Sequence, residues 1–203
     1  MIRSAGLFLM LAGSALMAEE LPAQFFVSGV AADDVLNIRR APGAQSAKIG
    51  ELGPYTTNVE VLGLSDNGRW GRIGMAEGNG WVAMRYLSRQ EVPEGQVIPR
   101  PLSCLGTEPF WRIGLLQRGD EYDRMGEDRV ALDLVEERRG EDGVQADLRA
   151  RDGTAYSLVV TRGLCGDGMS DREYGWSGTL FIDRADGTET LRGCCTLDHR
   201  QGQ

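Results

Sequence analysis

Histidine occurs once in the 203 residues, as His199, and no two of the four cysteines have the C-x-x-C spacing of a zinc site. The donor sets for structural or hydrolytic zinc are therefore missing. A Cys–His hydrolase needs a thiolate beside an imidazole, and the one imidazole stands in the tail. A basic excess is also missing: 22 Lys and Arg face 30 Asp and Glu, for a net charge of −8. Nucleic acid and anionic membrane surfaces are poor partners for such a chain. The acidic groups are scattered, which suits solubility and permits a basic protein ligand. No long apolar run follows the first residues, so no later segment is expected to span a membrane. No stretch has the apolar period of an amphipathic helix.

What is present begins with a leader. Arg3 is followed by the apolar run Leu7 to Ala12, small residues around Gly13, Ser14, Ala15 and Ala18, and then Glu19 and Glu20. This is secretory signal architecture. The apolar run is shorter than the roughly 20 residues a spanning helix needs. Residues 1–18 are expected to be a signal peptide cleaved after Ala18, with Ala15 as the alternative because Leu16 is large for its place. No cysteine lies nearby to carry a lipid anchor. Loss of Arg3 leaves 21 basic and 30 acidic residues, or −9, in a periplasmic or secreted chain.

Over the next segment 28 glycines in the whole chain begin to punctuate short apolar runs. Val35 to Ile38 alternates like a half-buried strand, and Pro42-Gly43 turns the chain. Val59, Val61 and Leu62 form a strong strand, Asp66-Asn67-Gly68 is a tight turn, and Trp70, Arg72 and Ile73 return. Gly78-Asn79-Gly80 precedes Trp81 and Val82. Five or six such strands close into a small barrel, with Leu36, Ile38, Val59, Val61, Ile73 and Val82 inside. The phrases LNIRRAP, GRWGRI and GWVAMRYL, in that order, resemble a bacterial SH3-like domain. The resemblance implies a module without chemistry of its own that binds cell-wall peptides or protein partners. It places a ligand groove near Arg39, Tyr55, Trp70, Trp81 and Tyr86. In so small a domain, Trp70 and Trp81 serve the core more readily than a ligand platform.

Residues 19–89 thus form the first module. Residues 90–102, QEVPEGQVIPRPL, carry Pro93, Pro99 and Pro101 and are expected to be a semi-rigid extended linker. Residues 103–203 then hold Cys104, Cys165, Cys194 and Cys195, and disulfides are the default in an exported chain. A bond between the neighbours Cys194 and Cys195 is strained, which leaves two pairings. On a strand the two side chains point to opposite faces, which suits two separate bridges. Cys165 with Cys194 and Cys104 with Cys195 is the preferred set. Strand-like runs cover 110–116, 130–135, 144–150, 156–161, 177–182 and 190–194. Turn signals at Arg118-Gly119-Asp120, Glu141-Asp142-Gly143, Arg151-Asp152-Gly153 and Ala185-Asp186-Gly187 separate them. The expected fold is all-β: an SH3-like barrel followed by a second antiparallel, barrel-like domain with disulfides.

GTEPFW at 106–111, CGDGMSDREYGW at 165–176 and the closing LRGCC resemble an uncharacterised group of bacterial envelope proteins over most of residues 103–197. That resemblance implies relatives and no reaction. Phe110 and Trp111 are expected on opposite faces of a strand. Glu108, Asp171 and Trp176, near Trp111, are candidates for a polar and aromatic pocket at one barrel mouth. In the competing arrangement Ser170 and Asp171 cap a turn and Glu108 accepts amides from that loop. Calcium at Asp167 and Asp171 lacks EF-hand spacing, so neither metal nor cofactor is expected.

These readings describe a non-enzymatic exported protein whose first module docks on peptidoglycan or an envelope protein. Two alternatives stand beside it. One is an envelope hydrolase with Glu108 and Asp171 as paired carboxyls, which need a separation of about 5–9.5 Å. The other is a secreted inhibitor whose acidity draws a basic hydrolase.

Overall fold

A computed structural model describes residues 20–200, and the expected leader lies outside them. The first module contains β1 (Ala23–Val27), β2 (Leu36–Arg39), β3 (Lys48–Leu52), β4 (Val59–Val61), β5 (Gly63–Leu64), β6 (Trp70–Gly74), β7 (Asn79–Ala83) and β8 (Leu87–Arg89), with a single 3-10 turn at Met84–Tyr86. They form two sheets, ordered β4-β1-β8 and β3-β2-β7-β6-β5. Period-2 alternation explains the packing: in β2, β6 and β7 every second side chain enters one core. Leu36, Ile38, Val59, Val61, Ile73 and Val82 are all buried there, joined by Phe25 and Val27 from β1. The turn before β6 is held by Asn67, whose Oδ1 accepts from the Arg69 amide at 3.0 Å, while Gly68 supplies a φ of 67°.

The second domain is a closed eight-stranded barrel of β9 (Leu102–Thr107), β10 (Phe110–Leu115), β11 (Asp120–Arg124), β12 (Val130–Arg139), β13 (Gly143–Ala150), β14 (Ala155–Gly166), β15 (Glu173–Arg184) and β16 (Gly187–Thr196). Each strand pairs antiparallel with the next, and β16 closes on β9. Two strands go beyond the six runs read from sequence. In β11, DEYDR, the charges hide the alternation: Asp120 and Tyr122 face inward while Glu121 and Asp123 bind Arg112 outside. β9 is split between the proline-rich stretch and the GTEPFW phrase. The interior is filled by side chains, among them Ile113, Leu115, Leu148, Leu158, Leu180 and Ile182, with Tyr122 and Tyr156 ring centroids 5.3 Å apart.

Cys104 bonds to Cys195, its register partner across the closing seam, with Cα atoms 3.9 Å apart. This bridge lies inside the barrel, and Gly178 makes room for it: a Cβ there would stand 2.6 Å from the Cys195 sulfur. Cys194, on the outer face, bonds to Cys165 at the end of the long β14–β15 hairpin.

Residues 97–101 are not the extended spacer expected of them. Ile98 is fully buried in the barrel core, and the Val97 and Ile98 amides both donate to Glu137. Arg100, nearly buried, pairs with Asp120 at 2.8 Å and with Glu137. An apolar side chain and a guanidinium between two carboxylates thus clamp this segment over one end of the barrel. Burial raises the Asp120 pKa, and the Arg100 charge opposes that rise.

Candidate functional site

Three places gather the chemistry-bearing residues. The first is a groove on the first module, a cavity of about 380 Å³ formed by the loop before β2, the end of β2 and the 3-10 turn. Arg39, Trp70 and Tyr86 line it together with Asp34, Asn37 and Arg85. Arg39 is aimed by donating to the Ser46 carbonyl at 2.7 Å, and the Arg85 guanidinium lies 4.8 Å from the Tyr86 ring centroid. Trp70, Ala83 and Arg85 also line an adjoining cavity of about 520 Å³, so the indole is shared by both. Two candidates lie elsewhere. Trp81 stands between its register partners Arg39 and Arg72 on the outer face of the sheet, and Tyr55 is 71% exposed on the β3–β4 connection.

The second place is the seam between the domains. The outward face of β1 and β4 carries Gln24 and Glu60 in register. Both are buried because the second domain covers them. Gln24 donates to the carbonyls of Pro101 and Leu197. Glu60 accepts from the Trp176 indole N–H at 3.1 Å and from the Thr196 hydroxyl at 2.6 Å. Its pKa is pushed up to about 7, chiefly by burial and also by Asp198, against the hydrogen bonds from Thr196 and the Leu197 backbone and the charge of Arg172. Asn58, at a φ of 54°, exchanges bonds with His199 through its carbonyl and its side-chain amide, and Arg72 pairs with Glu173 at 2.5 Å. Burial holds the His199 pKa below its usual value.

The third place is the outer wall of the barrel, where the loop after β14 overhangs β16 and β9 in a cleft of about 830 Å³. Asp167 organises that loop. Its Oδ1 accepts from the Met169 and Ser170 amides, both at 2.9 Å, and its Oδ2 from the Tyr174 hydroxyl at 3.1 Å. Slight burial pushes its pKa up, but those bonds prevail and hold it below the usual carboxylate value.

The four second-domain candidates do not converge as expected. Glu108 sits in the two-residue turn with Pro109, at the mouth of this cleft. Asp171 is not among the cleft's lining residues, and its carbonyl faces Asn79 of the first module at 3.4 Å. Trp176 belongs to the seam, where it also stacks 5.1 Å from Arg162, and Trp111 is enclosed in the barrel core. Both indoles are 4% exposed. Asp167 caps the loop, Ser170 caps its end by accepting the Arg172 amide at 3.2 Å, Asp171 makes no such bond, and Thr107, rather than Glu108, ties the loop to β9 by donating to the Asp167 carbonyl.

Glu60 is not legible in the sequence, because a glutamate between two inward valines has the pattern of a solvated strand face. Only the docking of the second domain buries it. Arg85 and Asp34 were legible only as loop polarity, and Asn37 only as an outward position of β2. Among the described residues no His, Cys, Asp and Glu cluster suited to a metal is found, and no helix is long and apolar enough to cross a membrane.

Residues 34–88 match the family model of the bacterial SH3 domain. The groove falls largely within that segment, as do the core positions Leu36 to Leu87. No curated protein and no solved structure matches the chain.

Proposed function

We propose that this is an exported, non-catalytic binding protein whose first module docks on peptidoglycan or an envelope protein through the groove of Arg39, Trp70 and Tyr86. The observation that carries this reading is the convergence of those three side chains with Asp34 and Asn37 in one cavity inside the bacterial SH3 segment. An aromatic wall with a few placed polar groups is the usual make-up of a small ligand site. Two disulfides suit an oxidising compartment outside the cytoplasm. The different surroundings of Glu108 and Asp171 support a reading without a carboxyl pair.

Retention on insoluble peptidoglycan tests this. Residues 19–203 are expected to sediment with the wall, without release of sugars or peptides, and Arg39→Ala and Trp70→Ala to sediment at least tenfold less. Equal retention of the variants refutes the groove, and release of soluble fragments refutes the non-catalytic reading.

A further inference from the structure

The cleft on the barrel's outer wall is unconnected with the first module's groove and carries its own recognition chemistry. Its floor is bare backbone at Gly106 and Gly193, and its back is the Cys165–Cys194 bridge, which pins the overhanging loop. Three charged side chains line it: Asp167 is spent on its own loop, while Glu108 and Arg192, of opposite charge, have no ion pair or hydrogen bond to another described side chain. The neighbouring Arg112, Arg124, Arg162 and Arg172 are all engaged by carboxylates, so an unspent guanidinium and an unspent carboxylate on one cleft stand out. The hydroxyls of Ser177 and Thr179 line it from β15, across β16 from Glu108, likewise without described partners, with Thr179 beside Arg192 in register. Phe110 and Met169, 43% and 67% exposed, supply an apolar rim.

We propose that this cleft is a second binding site, for a short peptide that carries both an ammonium and a free carboxylate. Glu108 receives the ammonium and Arg192 the carboxylate. Ser177 and Thr179, on the strand beside Arg192, meet the carboxylate end, and Phe110 with Met169 covers an apolar side chain. A volume of about 830 Å³ lies within the range of ligand sites and admits a few residues. A neutral sugar would engage neither charge, so two opposite charges without partners favour a zwitterion. The proposal goes beyond the docking role of the first module and stands on the barrel alone.

The test is calorimetric titration of residues 19–203 with the tripeptide Ala-Leu-Ala bearing free termini, with its N-acetylated and C-amidated forms, and with chitotetraose. The free tripeptide is expected to bind, and blocking either end to weaken it at least tenfold. Glu108→Gln should abolish the preference for the free amine, and Arg192→Ala the preference for the free carboxylate. Trp70→Ala, which empties the other groove, should leave the titration unchanged, so that failure here and failure of wall docking are separate results. Equal binding of capped peptides, binding of chitotetraose in their place, no heat with any probe, or loss of the signal in Trp70→Ala each overturns the proposal.

Discussion

The Trp176 indole donates its N–H across the domain seam to the buried carboxyl of Glu60 at 3.1 Å, and Thr196 holds the other oxygen. A carboxyl with no solvent access titrates as part of the interface. In the unfolded chain Glu60 titrates near its ordinary value, and in the folded protein near 7. A raised carboxyl pKa stabilises the fold fully below the unfolded value, and that contribution is lost as pH rises through 7.

The wild-type protein should therefore lose on the order of 3 kcal/mol of this contribution between pH 4.5 and pH 8. Glu60→Gln, which keeps the shape without the charge, should flatten the profile and be the more stable form at pH 8. His199 works with the opposite sign, since a depressed imidazole pKa costs stability only as pH falls. The difference between the two profiles isolates Glu60. Denaturation at a series of pH values reads it, and parallel profiles would contradict the linkage.

Gly175 packs against Pro22 and Leu62 at the same seam, where an added Cβ would stand 3.1 Å from the Leu62 side chain and still closer to Pro22. Gly175→Ala is expected to wedge the domains apart at a cost of about 1–3 kcal/mol. Faster amide exchange at Gln24 and Glu60, with the barrel strands still protected, checks it. Unchanged protection would show a seam that yields.

Arg100, within the 97–101 segment, neutralises Asp120 and Glu137. Arg100→Met leaves two buried carboxylates without a cation, and breaking such a pair costs about 3–5 kcal/mol. The loss should shrink at low pH, where Asp120, whose pKa burial raises, takes up a proton. A denaturation midpoint that shifts equally at pH 4 and pH 7.5 would exclude this origin.

The bridge at the barrel seam spans 91 residues and the bridge to the hairpin 29. Loop-closure entropy assigns them about 5 and about 4 kcal/mol. The double variant Cys104→Ala with Cys195→Ala should lower Tm more than Cys165→Ala with Cys194→Ala, and the reverse order would contradict the entropic account.

Much of the architecture was legible where alternation is clean. Leu36, Ile38, Val59, Val61, Ile73 and Val82 are core residues because hydrophobic period 2 is a property of the local chain. β11 was hidden because its inward Asp120 spends its charge on Arg100, a partner no local pattern reveals. The site was legible in part for the same reason. Arg39, Trp70 and Tyr86 share a groove because neighbouring strands and a turn carry them, whereas Glu108, Asp171 and Trp176 end in three different settings. Their placement depends on where a hairpin folds over and where a second domain docks. Those choices are made by long-range packing at Gly175 and by the Glu60 hydrogen bonds.

Whether the first module's groove is a binding surface is decided by an NMR titration of residues 19–203 with soluble peptidoglycan fragments. Saturable shifts are expected at the Trp70 indole N–H and at the amides of Asn37, Arg39 and Tyr86, absent in Trp70→Ala. Saturable shifts confined to other surfaces, with those signals unmoved, would contradict binding in the groove.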